Sequence, residues 1–199
     1  GRRKWLLLLL ALCLPCLAFA ADALYCPVTG TPPVIDGALD EAAWTGAAIR
    51  YPVRLNDLPP MFPASVRLLW DDEALYVGFE CLDQDVRSTL TERDSHIWEE
   101  GDLVEMFLFT LEEKPRRIEL ELNPNNAFLD ILHEPGKSFE EMKAWNWEGA
   151  QWAAKVHGTL NRADADTGWT AELKLPWRGL RSLGLADGAR IGLDLPVLF

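Results

Sequence analysis

The chain has 199 residues, 49% of them hydrophobic, and carries 31 Asp and Glu against 19 Lys and Arg, a formal net charge of −12 at pH 7. That length supports one domain with a sizeable core. Its acidity argues against nucleic-acid partners and anionic membrane surfaces, which need clustered Lys and Arg, and leaves neutral ligands and divalent cations compatible.

The first residues read as an address. Arg2, Arg3 and Lys4 precede an apolar run from Trp5 to Leu17, and Ala18-Phe19-Ala20 closes it with small residues at both key positions. This is the pattern of a secretory signal peptide over residues 1–20, cut before Ala21. The run is shorter than the roughly 20 residues a spanning helix needs, and Pro15 interrupts it. A retained N-terminal anchor is the alternative. A lipoprotein is disfavoured, because Leu12 and Pro15 precede Cys13 and Cys16. The expected location is secreted or periplasmic in a bacterium, with no membrane contact beyond export. A start on Gly1 rather than Met points to an N-terminus further upstream.

Residues 21–199 then form one domain. Cys26 and Cys81 stay in it, and an exported protein can join them in a disulfide; two buried free thiols is the competing reading. Pro27, Gly30, Pro32 and Pro33 mark an irregular lead-in. Asp36-Gly37 is a turn pair, and Leu39 to Trp44 can make one helical turn with Trp44 inward. A proline-rich loop runs from Asn56 to Pro63 with Met61 and Phe62 at its tip.

From Val66 the period becomes two. Val66, Leu68 and Trp70 go out, Asp71-Asp72-Glu73-Ala74 turns, and Leu75, Val77, Phe79 and Cys81 return on one face, which predicts a β-hairpin. Leu103 to Phe109 is nearly all apolar, as expected of a central strand covered on both faces. Arg117 to Asn123 alternates, with Ile118, Leu120 and Leu122 inward and Glu119, Glu121 and Asn123 outward. Pro124-Asn125-Asn126 turns into a strand from Ala127 to Leu132. Glu134 to Ala150 is read as a long polar loop carrying Trp145 and Trp147. Trp152–Leu160 and Trp169–Leu175 form a second hairpin, Trp177–Leu183 a short helix, and Arg190–Phe199 a further strand. Many short strands and little helix predict an all-β antiparallel sandwich of immunoglobulin or jelly-roll type, with one or two short helices. The apolar ending Pro196-Val197-Leu198-Phe199 suggests a domain truncated at its C-terminus, with closing strands or a further domain after Phe199.

Chemistry-bearing patterns are sparse. His96, His133 and His157 show no ligand spacing, so zinc and haem have little basis. Calcium has weak candidates in Asp83, Asp85, Asp94 and Asp102, whose hard oxygens crowd the loops around Trp98, although solvated acids are the plainer reading. No nucleophile elbow or phosphate loop is present, and with 31 acids a glycosidase pair can always be nominated. Aromatic binding remains. Of eight tryptophans beyond the signal, Trp44, Trp70 and Trp169 sit at inward positions. Trp98, Trp145 and Trp147 lie in loops among polar residues, where an indole can face a sugar ring.

Five segments then carry a resemblance. Val34-Ile35-Asp36-Gly37 with Leu39-Asp40-Glu41 and Trp44 come first, followed by Leu69-Trp70-Asp71-Asp72 with Leu75-Tyr76-Val77. Trp98-Glu99-Glu100 with Asp102, Val104-Glu105 and Phe107 come next, then Glu121-Leu122-Asn123-Pro124, and last Gly168-Trp169-Thr170-Ala171-Glu172 with Pro176-Trp177. In this order, spanning about Val34 to Leu195, they resemble the family 9 carbohydrate-binding modules. The resemblance implies a β-sandwich and a non-catalytic sugar-binding module, in characterised members attached to xylan- or cellulose-degrading enzymes. It implies an end sugar held between two tryptophans. Trp98 matches the first, and Glu105 and Asn123 match polar contact positions. The second tryptophan belongs to a C-terminal segment not found here, with Trp145 or Trp147 as stand-ins. Glu121 stands where a basic sugar contact is expected, so orientation or ligand identity can differ.

The expectation is an exported, non-catalytic module binding β-linked glucose or xylose oligosaccharides through Trp98, Glu105, Asn123, Glu121, Trp145 and Trp147, accessory to a glycoside hydrolase. The alternative is a structural or docking domain of an exported or outer-membrane protein that binds no sugar. A small cofactor-binding sandwich is a third reading, and an intrinsic glycosidase the least favoured.

Overall fold

A computed structural model describes residues 26–50, 63–110, 116–184, 191–194 and 197–198. The predicted signal peptide, and the proline-rich loop as far as Phe62, lie outside the described residues.

Alternating apolar residues become strands because period two puts one set of side chains on one face of the pleat. In chain order these are β1 (Ala48–Arg50), β2 (Ala64–Trp70), β3 (Ala74–Cys81), β4 (Leu103–Thr110), β5 (Arg117–Leu122), β6 (Phe128–His133), β7 (Gln151–His157), β8 (Gly168–Pro176), β9 (Ile191–Asp194) and β10 (Val197–Leu198). Two short helices, α1 (Phe139–Lys143) and α2 (Trp177–Arg181), and two 3₁₀ turns, Ala42–Gly46 and Ile97–Glu99, complete the described elements. One sheet runs β1-β2-β3-β8-β7; the other runs β10-β4-β5-β6, with β9 also on β4. Every named strand pair is antiparallel.

The inner faces meet as predicted. Val66, Leu68, Val77, Phe79, Ala171, Leu173 and Trp169 of the first sheet share a core with Val104, Met106, Leu108, Ile118, Leu120, Leu122 and Phe128 of the second. One acid enters this core. Asp130 is fully buried on β6, where it accepts Arg93 Nη2 at 2.7 Å and the Trp147 backbone N–H at 2.6 Å.

The outer face of the first sheet is covered by the lead-in, which Glu172 ties down. Its Oε2 accepts the N–H groups of Asp36 and Gly37 at 3.0 and 2.7 Å, and its Oε1 accepts Trp44 Nε1 at 2.8 Å. Gly78, mid-strand, makes room for this cover: a Cβ there would stand 2.4 Å from Leu39 Cδ2. Trp44 and Trp169 are buried as expected. Trp70 is not. As the last residue of β2 it passes the edge of the core, stays 38% exposed, and donates its Nε1–H to the Cys26 carbonyl at 2.9 Å.

The disulfide expectation is corrected. Cys26 and Cys81 are both free thiols. Cys26 lies by Trp70 at the turn end of the β2–β3 hairpin, while Cys81 pairs with Ala64 at its open end. Six residues of strand separate the two ends, roughly 20 Å, against the roughly 4–7 Å that a disulfide spans between Cα atoms. Burial pushes the Cys26 thiol up to about 11 and the Cys81 thiol higher still.

Candidate functional site

The outer face of the second sheet is where polar residues collect. Register places Glu105, Glu121 and Leu129 in one row, Phe107, Glu119 and Ile131 in the next, and Arg117 and His133 beyond. These are the positions that period two reads as solvent-facing on β5. The face is instead covered by a small second core of Ile97, Leu103, Ala127, Leu129 and Ile131, with Leu90, Phe139 and Met142 against it.

Two local structures build that cover. The 3₁₀ turn Ile97–Glu99 buries Ile97 completely and leaves Trp98 over the sheet, 38% exposed. Helix α1 falls inside the segment read as a loop. Its Ser138 cap accepts the Glu141 N–H, and the Glu141 side chain returns to the Ser138 N–H. Ser138-x-x-Glu141 is a capping box legible in the sequence and missed there. The helix delivers Phe139, whose ring meets Trp98 edge-on at 5.2 Å, while His96 stacks on Trp98 at 4.7 Å and 16°. Trp98 is thus fixed in plane by neighbours on two sides.

Beneath it opens a cleft of about 270 Å³ lined by Trp98, Phe139, Ile131, His133, Glu105, Glu119 and Glu121. A carboxylate oxygen from each of the three glutamates lies within 4.8 Å of the other two. Glu121 is 2% exposed, and its Oε2 has no hydrogen-bond partner. Burial, with Glu119 and Glu105 beside it, pushes its carboxyl up to about 9, so it keeps its proton at neutral pH. Glu119 Oε2 lies 2.6 Å from His133 Nε2 and 3.3 Å from Arg117 Nη2. The arrangement offers hydrogen-bond acceptors on an acidic floor and aromatic faces on the walls.

The sequence nominees divide here. Trp98, Glu105 and Glu121 come together; Glu119, His133 and Phe139 join them and were not singled out. Asn123 does not contribute, which corrects that expectation. It is fully buried at the β5–β6 turn, where its Oδ1 accepts the N–H groups of Ala127 and Asn125 at 2.8 and 3.1 Å, and its Nδ2 donates to the Leu90 carbonyl at 2.9 Å. Trp147 is also corrected. It is 2% exposed in the main core and donates Nε1–H to the Pro176 carbonyl at 2.9 Å. Trp145 packs against that core and meets Trp147 edge-on at 6.0 Å. Neither tryptophan faces Trp98 across the cleft; the aromatic beside it is Phe139.

The calcium nominees are held by other partners. Asp83 and Asp102 do meet, but as a pair sharing a hydrogen bond. Burial, with Asp83 beside it, pushes the Asp102 carboxyl up to about 7 against the opposing Arg87 N–H. Asp102 Oδ2 accepts that N–H at 2.6 Å. Asp85 forms an ion pair with Arg87 at 2.8 Å, and Asp94 lies 3.7 Å from Arg93. Among the described residues, ligand-like spacing of three acids occurs at Glu105, Glu119 and Glu121, and not at Asp83, Asp85 and Asp102.

A family model described as carbohydrate family 9 binding domain-like matches residues 35–198. The fold is similar to that of a proposed carbohydrate-binding protein from Bacteroides uniformis, with 15% identity, TM-score 0.54, and coverage of 76% of this chain and 71% of that one. It is also similar to a family 9 carbohydrate-binding module of Caldicellulosiruptor kristjanssonii. Its complex with cellotriose gives 19% identity, TM-score 0.50 and coverage of 86% and 75%. Its complex with glucose gives 18% identity, TM-score 0.51 and coverage of 86% and 76%. Among curated proteins none matches the chain.

Proposed function

Because the chain belongs to the carbohydrate family 9 binding domain-like family, we propose that it is an exported, non-catalytic sugar-binding domain whose ligand sits in the cleft under Trp98. The observation that carries this is a half-exposed indole, held in plane by His96 and Phe139, above a floor of carboxylates. A pyranose ring presents axial C–H groups to an aromatic face and hydroxyls to acceptors, and this cleft offers one of each. At about 270 Å³ the space is below the roughly 300–1,000 Å³ of drug-sized sites, which suits one end ring rather than a length of chain.

Two structures of similar fold hold cellotriose and glucose, which supports a gluco-configured, β-linked ligand of the glucose or xylose type. The three glutamates crowd a single floor, whereas glycoside hydrolysis sets two carboxyls on opposite sides of the scissile bond. A binding role, accessory to an enzyme that degrades polysaccharide, fits that arrangement better than hydrolysis. The signal-like sequence of residues 1–20 supports secretion or a periplasmic location.

Calorimetric titration of the protein with a glycan panel that includes cellobiose, xylobiose and amino sugars tests the reading. Saturable binding to at least one member, abolished in Trp98→Ala, is expected. Absence of binding across the panel would overturn it.

A further inference from the structure

The floor of the cleft is unusual for a site that receives only neutral hydroxyls. Glu105 and Glu121 are direct register partners on adjacent strands, and Glu119 is two residues along the same face. Two carboxylates placed opposite one another oppose pairing, a repulsion relieved here by the proton that Glu121 keeps. Glu121 Oε2 is buried at the cleft and accepts no donor, while the Glu121 carboxyl shares a hydrogen bond with that of Glu119. Among the described residues, Arg117 and His133 both meet the floor at Glu119 Oε2, the Arg117 guanidinium also lying over the Phe107 ring at 3.9 Å, and neither is in ion-pair contact with Glu121. His96 faces Glu99 and Glu140 on the far side of Trp98.

We propose that the ligand ring carries a primary ammonium group, as in glucosamine and its β-linked oligosaccharides, received by Glu105, Glu119 and Glu121 while the ring packs on Trp98. This deepens the sugar-binding reading and rests on it. The geometry suits an ammonium. Three N–H donors at tetrahedral angles, each about 2.8 Å from its acceptor, need acceptors about 4.6 Å apart, a separation to which carboxylate oxygens no farther than 4.8 Å from one another can open once the ammonium replaces the proton between Glu119 and Glu121. A calcium ion fits less well. It takes roughly 6–8 oxygens, and the other lining side chains, Trp98, Ile131, His133 and Phe139, carry none. Those same rings and methyls suit an ammonium, which aromatic faces attract.

The proton that Glu121 retains to about pH 9 serves as the counter-charge of the empty cleft. An arriving ammonium replaces it, so binding releases that proton to solvent. Affinity therefore rises with pH as Glu121, flanked by Glu105, Glu119 and the His133 and Arg117 side chains, gives up its proton more readily. It levels off where the free ammonium deprotonates, because the amine then takes its proton from Glu121, and falls only once both groups have lost their protons. Added salt weakens the interaction.

Isothermal titration of the full chain compares β-1,4-linked diglucosamine with cellobiose and di-N-acetylchitobiose, and separately with CaCl₂ alone. The expected result is affinity for diglucosamine at least about tenfold above that for cellobiose, the advantage typical of a charge-assisted hydrogen bond. The heat should also depend on the buffer's protonation enthalpy, as proton release requires. The N-acetylated disaccharide should lose the advantage, and Glu121→Gln should reduce the ratio of amino to neutral affinity. Equal or tighter binding of cellobiose would overturn the inference while leaving the sugar-binding reading intact. Saturable calcium binding that blocks diglucosamine would replace it with a cation site. Failure of every sugar would remove both.

Discussion

Glu105 on β4 and Glu121 on β5 face each other as register partners on a covered sheet surface, both buried. A face whose only task was to be covered would carry apolar residues at these positions, as the adjoining strand β6 does with Leu129 and Ile131. Burying two carboxyls side by side costs stability, relieved here by the proton that Glu121 keeps, and the proposed site would be the return on that cost.

The cost is measurable at Glu121. The unfolded chain ionises it near the usual glutamate value of roughly 4.3, whereas the native state holds the proton to about 9. Between these values the native state binds more protons, so its stability falls as pH rises. Glu121→Gln removes that loss. Urea unfolding should find the variant equal to wild type below about pH 4 and more stable by up to about 5 kcal/mol near pH 8, with ligand affinity reduced. Destabilisation at pH 8 would contradict the account.

Asp102 titrates in the same direction over a lower window. Its native carboxyl is held up to about 7 by burial and by Asp83, so its contribution weakens as pH climbs from about 4 to 7. An amide keeps both hydrogen bonds, donating to Asp83 and accepting the Arg87 N–H. Asp102→Asn is therefore expected to raise the melting temperature at pH 8 and leave it nearly unchanged at pH 4, as scanning calorimetry at the two values would show.

Trp98 and Trp147, alike in sequence context, should separate by experiment. Trp147 fills core space, and Gly179 of α2 leaves room for its indole, since a Cβ there would lie 2.3 Å from Nε1. Trp147→Ala should cost about 3–5 kcal/mol. Trp98→Ala removes a half-exposed ring and should cost about 1 kcal/mol or less while abolishing ligand binding. Chemical denaturation of the two variants checks the contrast.

Asn123→Ala tests a reassignment. With three hydrogen bonds from one buried side chain lost, two backbone N–H groups and one carbonyl are left without partners. A destabilisation of about 2–4 kcal/mol is expected. Ligand affinity of the folded fraction should be retained, which a direct sugar contact would not allow.

The sandwich was readable because strands announce themselves by period. Val66 to Cys81 alternates around an Asp71 turn, and the structure pairs Ala64 to Trp70 with Cys81 to Leu75 in register. The site was half readable. Trp98, Glu105 and Glu121 came from motif resemblance, but alternation alone labels Glu119 and Glu121 as solvated, because it cannot say that a distant loop will cover them. Helix α1, which brings Phe139, was hidden by its five-residue length, too short for periodicity, though its capping box was in view. Asn123, Trp145 and Trp147 misled for a common reason. A polar or loop setting in sequence does not reveal a turn or core partner supplied by Leu90 or Pro176 from elsewhere in the chain.

The central claim is that Trp98 roofs a ligand cleft while Trp147 and Trp169 are packing residues. Indole N–H resonances in a ¹⁵N-labelled sample, followed during titration with diglucosamine or cellobiose, test it most directly. The account predicts a saturable shift of the Trp98 signal, identified by its loss in Trp98→Phe, with the Trp147 and Trp169 signals unmoved. Saturable binding that leaves Trp98 unchanged and shifts another indole would contradict it.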